Sequence, residues 1–559
     1  MRYIIFLVKI FFITSTIYSQ IELVPVENPV YEYLKRMQLK ELISFNSSDI
    51  PISRSKIASY IKQIDSKSEN LTIVDKQILN DLKVEFQYEL TGLLDNTHGI
   101  FNNGDLNLFN DKKQKYLYSF ADSNASIFFD GIGSLHYGVS GGDTIEKKSL
   151  GFGKIGFRLR GTILNSIGMY LRADNGVVVS GTRNDKYLGI SNDPKLVANG
   201  KYMGDGFFET YEGHLRVATK NEIFSAIIGK ESVKNGFGYI DKLFLSDNTV
   251  SFNFIGFNVN YKAIDYSFKY SSLKGDSLGR RDIEMKNLVS HRLTIKLSNQ
   301  FRFGIFESLI TVDRPFNITY LVPMSLIRAA DYNAGGTQSD LNNALLGFDA
   351  EFIPKKKWAI QGSLLIDDLN FSRLFNNVRD DGRPGNDNRF GFQIGTIWTD
   401  AFSVPDFTVA LEYTRLNQFV YTHRTNKSQY TNWGLPLGHM LSPNSDEIAL
   451  KLNYNFSSRL SSILLFQYQR SAKGIVIEND SLVRNYGGDI NRGDGDILFP
   501  VNFLDGNRIN RYLFTFNLTW QPIRQYFIDL KFFYGINDKL YNNTKTNLVY
   551  SFINFRIDY

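Results

Sequence analysis

The chain contains no cysteine among its 559 residues. Disulfide frameworks, thiolate metal sites and a lipid-modified cysteine anchor are therefore excluded. Histidine is scarce, with six in all: His98, His136, His214, His291, His423 and His439. No two stand at zinc-ligand spacing, and neither HExxH nor GxSxG occurs, so the usual signatures of metalloprotease and serine-hydrolase chemistry are missing. Past the first twenty residues no stretch approaches the ~18 consecutive apolar residues of a membrane-spanning helix. The net charge of +6 is spread along the chain without a Lys/Arg block, which leaves nucleic acid unsupported as a partner. No catalytic residue, metal or cofactor is expected, and the chain is not expected to be an enzyme.

Aromatic residues are abundant instead: 31 Tyr and 45 Phe stand against 13 Pro. Such a composition does not suit a disordered chain. The opening MRYIIFLVKIFFITSTIYSQ has an early Arg2, an apolar run from Ile4 to Ile13 broken by Lys9, and small residues near Ser19. Residues 1–19 are expected to be a secretory signal peptide, because the apolar run is too short to serve comfortably as an anchor. Residues 20–95 are expected to form a helical bundle in the periplasm. Val30, Leu34, Met37 and Leu42 follow helical spacing after Pro29, and Ser53 precedes Ile57, Tyr60, Ile61 and Ile64 as an N-cap. Thr72 with Asp75 three residues on resembles a capping box, followed by Ile78, Leu82 and Phe86. Residues 96–123 remain open between a lead-in, a plug piece and an extra strand.

From residue 124 to 559 the period changes to two. Ile155, Phe157 and Leu159 alternate with Gly156, Arg158 and Arg160, while Tyr512, Phe514, Phe516, Leu518 and Trp520 alternate with polar residues. Segments of about ten residues, greasy on one face and polar on the other, carry the dyad pattern of an outer-membrane strand. Short links near 163–165, 219–222, 260–263, 298–300, 354–357, 399–404, 456–460 and 521–524 alternate with long ones. The expected fold is an all-β transmembrane antiparallel barrel of about 18 strands with a small N-terminal α-helical domain. Tight turns and the bundle would lie in the periplasm of a Gram-negative bacterium, with the long loops at the cell surface. The final LVYSFINFRIDY would be the closing strand, Tyr559 lying at the inner interfacial girdle, as in the aromatic signal read by barrel-insertion machinery.

Candidate sites fall in two places. Lys154, Arg158, Arg160, Arg172, Arg216, Arg292, Lys296, Arg302, Glu412, Lys451, Lys531 and Arg556 take the polar phase and are expected in the lumen. They either pair with lumenal acids or make a cationic interior for an anionic polymer. His214 and His291 are placed on polar strand faces, as lumenal hydrogen-bonding groups. The long loops carry flat aromatic faces beside amides and Arg, the chemistry that grips sugar rings; Tyr421, Arg424, Tyr430, Asn432, Trp433 and Tyr486 are the candidates. Asp489, Asn491, Asp494 and Asp496 miss the spacing of a calcium loop, and the RGD at 492–494 is most simply a turn.

At IIGKESVKNGFGYIDKLFLSDN (227–248) the sequence resembles the glycine-aromatic, LSDN-type signature of Wzi-like capsule assembly proteins, in a divergent Bacteroidetes-type form. HRLTIKL, FGIFESLI, ITYLVPM, LLGFDAEFIP, LLIDDL, VALEYTRLNQFVYTH and GLPLGHMLSPNSDEIALKLNY follow in the family's order. The resemblance implies a non-catalytic, lectin-like outer-membrane barrel that helps attach capsular polysaccharide, with surface polysaccharide, membrane lipid and the insertion machinery as partners. It carries over to Asn235, Gly236, Gly238, Leu245, Ser246, Asp247, Asn248, Glu307, Asp367, Asp368, Glu412, Asn444, Asp446 and Glu447. Most of these are expected to hold loop and lumen architecture. A channel for anionic or sugar solutes is the alternative. A barrel hydrolase, using His423 or His439 at the rim, is the distant one.

Overall fold

A computed structural model describes residues 20–104, 106–143, 145–181, 189–191, 193–203, 207–275, 285–322, 325–335, 341–369, 388–424, 427–478, 481–493 and 501–558. The expected signal peptide, Asp494, Asp496 and Tyr559 lie outside them. Eighteen long antiparallel strands close into a barrel. They are β1 (Ala125–Gly142), β2 (Ile145–Ile163), β3 (Ile167–Ser180), β4 (Phe207–Ala218), β5 (Phe224–Glu231), β6 (Phe252–Tyr261), β7 (Ile264–Leu273), β8 (Lys286–Lys296) and β9 (Phe301–Val312). The second half is β10 (Asn343–Lys355), β11 (Trp358–Asp368), β12 (Arg389–Thr399), β13 (Phe407–Leu416), β14 (Ser445–Ser457), β15 (Leu460–Lys473), β16 (Asn507–Ile523), β17 (Tyr526–Lys539) and β18 (Thr544–Asp558).

Every strand pairs with its sequence neighbours, and β18 closes on β1 from Leu548↔Gly142 to Asp558↔Ile132. Where β18 ends, Tyr118–Ala121 takes over as the neighbour of β1, pairing Tyr118 with Phe129 and Ala121 with Ser126. The segment left open in the sequence thus supplies a short extra strand that completes the seam. One end of the barrel is built from tight turns, in which Leu164, Asn165, Glu222, Lys262, Lys357, Asp400 and Gln525 adopt positive φ. This matches the twist demanded of short hairpin links. The other end carries the long connections, with short links only at 143–144 and 540–543.

The outward phase is apolar and bare: Ile155 is 75% exposed, Val179 65% and Leu135 64%. No helix among the described residues is long and apolar enough to cross a membrane. A continuous greasy wall with all strand edges paired is what a bilayer requires of a β-protein.

The helices α1 (Val30–Leu39), α2 (Arg54–Asp65), α3 (Ile73–Glu85) and α4 (Gln87–Thr91) pack around Val30, Leu34, Met37, Ile57, Ile61, Leu79 and Phe86. Leu42 lies beyond α1 but joins the same core. Ser53 caps α2 and Thr72 caps α3, accepting from the Asp75 amide at 3.0 Å. Asp75 does not reciprocate in a capping box. Its carboxylate turns to Arg36 and Lys40, at 2.7 and 2.6 Å, tying α3 to α1. The bundle sits on the turn end and reaches into the lumen: the Leu23 amide donates to His214 Nε2 at 3.0 Å, and Ser48 Oγ lies 3.2 Å from Thr294 Oγ1.

Candidate functional site

The bundle meets the lumenal charges directly. Arg158 pairs with Asp130 and Asp558 at 2.7 and 3.0 Å, and Arg160 with Glu22 at 3.3 Å while donating to the Tyr116 hydroxyl. Arg172 pairs with Asp174, Arg216 with Glu222 and the Ile21 carbonyl, and Arg292 with Asp349 at 2.8 Å. Glu351 receives Lys35 and Gln38 from α1 and Arg302 from β9. Burying unpaired charge is costly, and these counter-ions relieve that cost. Of the inward lysines named above, Lys451 pairs with Glu32 at 2.7 Å, while the ammonium groups of Lys154, Lys296 and Lys531 have no hydrogen bond or ion pair among the described residues. At the turn after β12, Asp400 is drawn below the usual carboxylate range. Burial raises it, but Lys357 at 2.8 Å, Lys40 at 3.0 Å and the Asp406 amide outweigh that.

The link between β5 and β6, residues 232–251, does not project outward but folds into the barrel. Asn235 pairs with Leu245 through both main-chain groups, and its amide donates to Asp49 at 2.8 Å. Gly236 has φ +120, a conformation that a side chain would strain, and its amide donates to the Ser48 carbonyl of the bundle at 2.9 Å. Two wall carboxylates then receive the link's backbone. Asp349 accepts the Phe237 amide at 3.0 Å, and Glu412 accepts those of Tyr239 and Asp241 at 2.8 and 3.3 Å. Gly238 sits between these, its carbonyl accepting from Lys242. Leu245 is fully buried, Ser246 Oγ donates to the Gly438 carbonyl, Asp247 pairs with Lys234 at 3.1 Å, and Asn248 donates to Asp241 and Gly438.

A second link, 417–444, packs on the first. Tyr421 and Tyr430 stack with ring centroids 5.5 Å apart, and their hydroxyls donate to the carbonyls of Leu243 and Phe244. Asp367 on β11 accepts the Tyr421 amide. Asn432 bridges Val250 and Lys274. Tyr421, Tyr430 and Asn432 are buried and present no face to the outside. Arg424 is exposed, while Trp433 and Tyr486 are half-buried at the loop end. Asp368 ends β11 half-buried, opposite Arg389 in register. Asn444 is a buried hub. Its amide nitrogen lies 3.1, 3.1 and 3.0 Å from the carbonyls of Ala472, Tyr486 and Asp505, and its oxygen accepts the Leu504 amide at 2.7 Å. Glu447 accepts from Gln467 and Gln469 inside the wall.

Three groups point the other way. His291 is not lumenal: it shares its phase with Leu293, opposite Arg292, and faces outward. There it meets Glu307 at 2.9 Å and the Tyr266 hydroxyl at 3.1 Å. Glu307 also accepts the amides of Ile327 and Arg328, which anchors the helix Ile327–Gly335 over an outward apolar cluster of Tyr266, Phe268, Val289 and Leu309. Asp446 is outward as well, paired with Arg470 and the Tyr413 hydroxyl. His214 is lumenal, its Nδ1 2.7 Å from Glu231. His423 Nδ1 lies 3.1 Å from Ser428 Oγ, but Ser428 is fully buried, out of reach of a large substrate. Among the described residues no group of three His, Asp or Glu side chains is placed to hold a metal.

The inward folding of 232–251 and 417–444 was missed by the strand-and-loop reading. The available signal was Phe237, Leu243, Phe244 and Leu245, an apolar density with neither helical nor alternating period.

The profile of the capsule assembly protein Wzi family matches residues 229–493. Among solved structures the chain is similar to Wzi of Escherichia coli, an outer membrane protein of group 1 capsule assembly described as a carbohydrate-binding β-barrel. Identity is 13%, with 96% of this chain and 99% of that one covered and a TM-score of 0.56, a likeness of fold. OccAB2 and OccAB1 of Acinetobacter baumannii share 10% identity each, cover 78% of this chain and 98% and 96% of theirs, at TM-scores of 0.46 and 0.43. No curated protein sequence matches the chain.

Proposed function

We propose that the chain, whose residues 229–493 match the model of the Wzi capsule assembly family, is a lectin-like outer-membrane protein that helps attach surface polysaccharide to the cell. The turn end and its helical bundle face the periplasm, and the long links face outward, where a polymer leaving the cell would meet them. Membrane lipid surrounds the apolar wall, and the insertion machinery assembles it. No chemical step is assigned to the chain.

The observation that carries the reading is the occupied lumen. An 18-stranded wall without contents encloses an aqueous channel. Here the bundle enters from one end and two links enter from the other, meeting at Asp349, Glu351 and Glu412. A buried cluster of Leu243, Phe244, Phe306, Tyr421 and Tyr430 fills the space between them. That arrangement suits a platform for displaying loops better than a conduit. A channel is favoured by one feature, a cavity of about 750 Å³ between the bundle and the wall, bordered by Glu32, Arg158, Lys451 and Arg524.

The test compares cell-bound and released polysaccharide in wild-type and deletion strains. The deletion is expected to shift polymer from cell to medium, and unchanged partitioning overturns the reading. Purified protein in planar bilayers is expected to lack steady conductance. Porin-like steps there would favour the channel.

A further inference from the structure

Most lumenal arginines are held by counter-ions, whereas one pocket at the loop end gathers two cations that are not. It measures about 270 Å³ and lies where β15 ends and β16 begins, beneath the segment 485–492. Its polar lining is Lys473, Asn485, Asp489, Arg492, Asn507 and Tyr541. Small-molecule clefts run from about 300 to 1,000 Å³, so this one has room for a single unit of a polymer rather than a stretch of it.

We propose that this pocket is a subsite for a carboxylated sugar unit, resting on the polysaccharide-binding reading above. Neither the Lys473 ammonium nor the Arg492 guanidinium has a hydrogen-bond or ion-pair partner among the described residues, and both border the pocket. Asp489 spends one oxygen on the Asn491 amide at 3.0 Å and keeps the other. Two unspent cations against one acid suit an anion. The planar fork of Arg492 matches a carboxylate, which it can grip with two parallel N–H donors. Asp489 and Asn507 offer an acceptor and an amide to ring hydroxyls, and Tyr541, 50% exposed, offers a ring face. Surface cations are ordinarily just solvated. What separates these two is that they converge on a concavity whose frame is already built.

That frame is tightly specified. Asn444 ties together the chain at Ala472, Tyr486 and Asp505. The Tyr486 amide donates to the Gly474 carbonyl at 3.2 Å, and Gly506 at φ +107 has its backbone against the Tyr486 ring, where an added Cβ would stand 2.8 Å from Cγ. Asn485 receives the Gly487 amide at 2.9 Å and donates to the Gly493 carbonyl at 3.1 Å. The Arg492 amide donates to the Asp489 carbonyl at 3.1 Å, fixing the turn that presents the guanidinium. A frame ordered beforehand loses little entropy on binding.

The experiment is calorimetric titration of the full-length protein in detergent with oligogalacturonate and with an uncharged oligoglucan of equal length, at low salt. Wild type is expected to prefer the oligogalacturonate. Arg492→Ala should weaken it about tenfold, the scale of a lost charged hydrogen-bonded pair, and Arg492→Lys should restore only part. Lys473→Gln should weaken it by a smaller factor, and neutral-glycan binding should not move in any variant. Unaltered migration on heating establishes that each variant is folded. Equal affinity for the two glycans, binding of neither, or an Arg492→Ala protein that binds like wild type overturns the subsite. The capsule-attachment reading stands or falls separately, on polymer partitioning in the deletion strain.

Discussion

Replacing Asp349 with Ala should open the lumen without opening the wall. Asp349 and Arg292 are 0% and 1% exposed at their side chains, and their contact is 2.8 Å. Removing the acid leaves a guanidinium buried between the rings of Phe237 and Phe244, whose centroids lie 5.4 and 5.9 Å away, with Ser48 Oγ as a neutral partner at 3.2 Å. Breaking one side of such a buried pair costs about 3–5 kcal/mol. The Phe237 amide, now without its acceptor, adds about 1–3 kcal/mol if water does not reach it. Even the lower end of that sum, about 4 kcal/mol, taken up by the link 232–251 rather than by the strands, corresponds to about a thousandfold increase in local opening. Hydrogen exchange of the amides at 235–245, followed by mass spectrometry on the detergent-solubilised barrel, reads that opening directly. Arg292→Met combined with Asp349→Ala should cost less than the sum of the singles, because no orphan charge is left. Exchange within threefold of wild type, or strict additivity of the two changes, would refute the idea that the pair pins the link.

Asn444→Ala should free Tyr486, Leu504 and Asp505 from their hub, at a cost of about 2–3 kcal/mol for its lost buried hydrogen bonds, visible as faster exchange at 485–493 and 501–506 and none in β10–β13; Asn444→Asp, lacking the donors, should behave similarly. Asp400 has its folded pKa depressed, so its contribution is fully present above the ordinary value of about 3.9 and is lost as pH falls through the lower folded value. An acid-active protease should therefore release the bundle increasingly below about pH 4, and Asp400→Asn should flatten that dependence while weakening attachment at neutral pH. Ile155→Arg puts a charge on the bare outer phase and should destabilise the barrel by about 2–4 kcal/mol if the residue lies near the bilayer midplane, measured by denaturant unfolding in lipid vesicles. A change near zero would place Ile155 outside the hydrocarbon.

The wall was legible because its constraint is local and repeats at every residue. Ile155 and Arg158 declare their faces by parity alone, and the same rule located the turns. The helix starts at Ser53 and Thr72 were equally legible, since a cap is satisfied within three residues. Asp75 shows where that locality ends: its capping-box position is correct, yet its carboxylate is taken by α1, which no spacing within α3 announces. His291 was placed in the lumen because a polar residue in a strand reads as inward; a covering helix that buries an outward His–Glu pair is invisible to parity. Tyr421 and Tyr430 were ambiguous for a chemical reason. A tyrosine that stacks on a sugar and one that stacks in a core while its hydroxyl meets a carbonyl have the same side chain, and only burial separates them.

The seating of the bundle has a consequence for how the molecule is made. Asp81 and Asp111 reach Arg459 and Arg524, in the turns after β14 and β16, across 348 to 443 residues of sequence. Helix α3, through Asp81, and the segment after the bundle, through Asp111, are thus bonded to two hairpins of the barrel's second half. Contacts of such separation form slowly, because most of the chain must be gathered before any of them is gained. The bundle, whose core is local and needs none of the wall, can be complete long before that. Asp81 and Asp111 are then the contacts that register a locally built unit against hairpins nearly four hundred residues downstream.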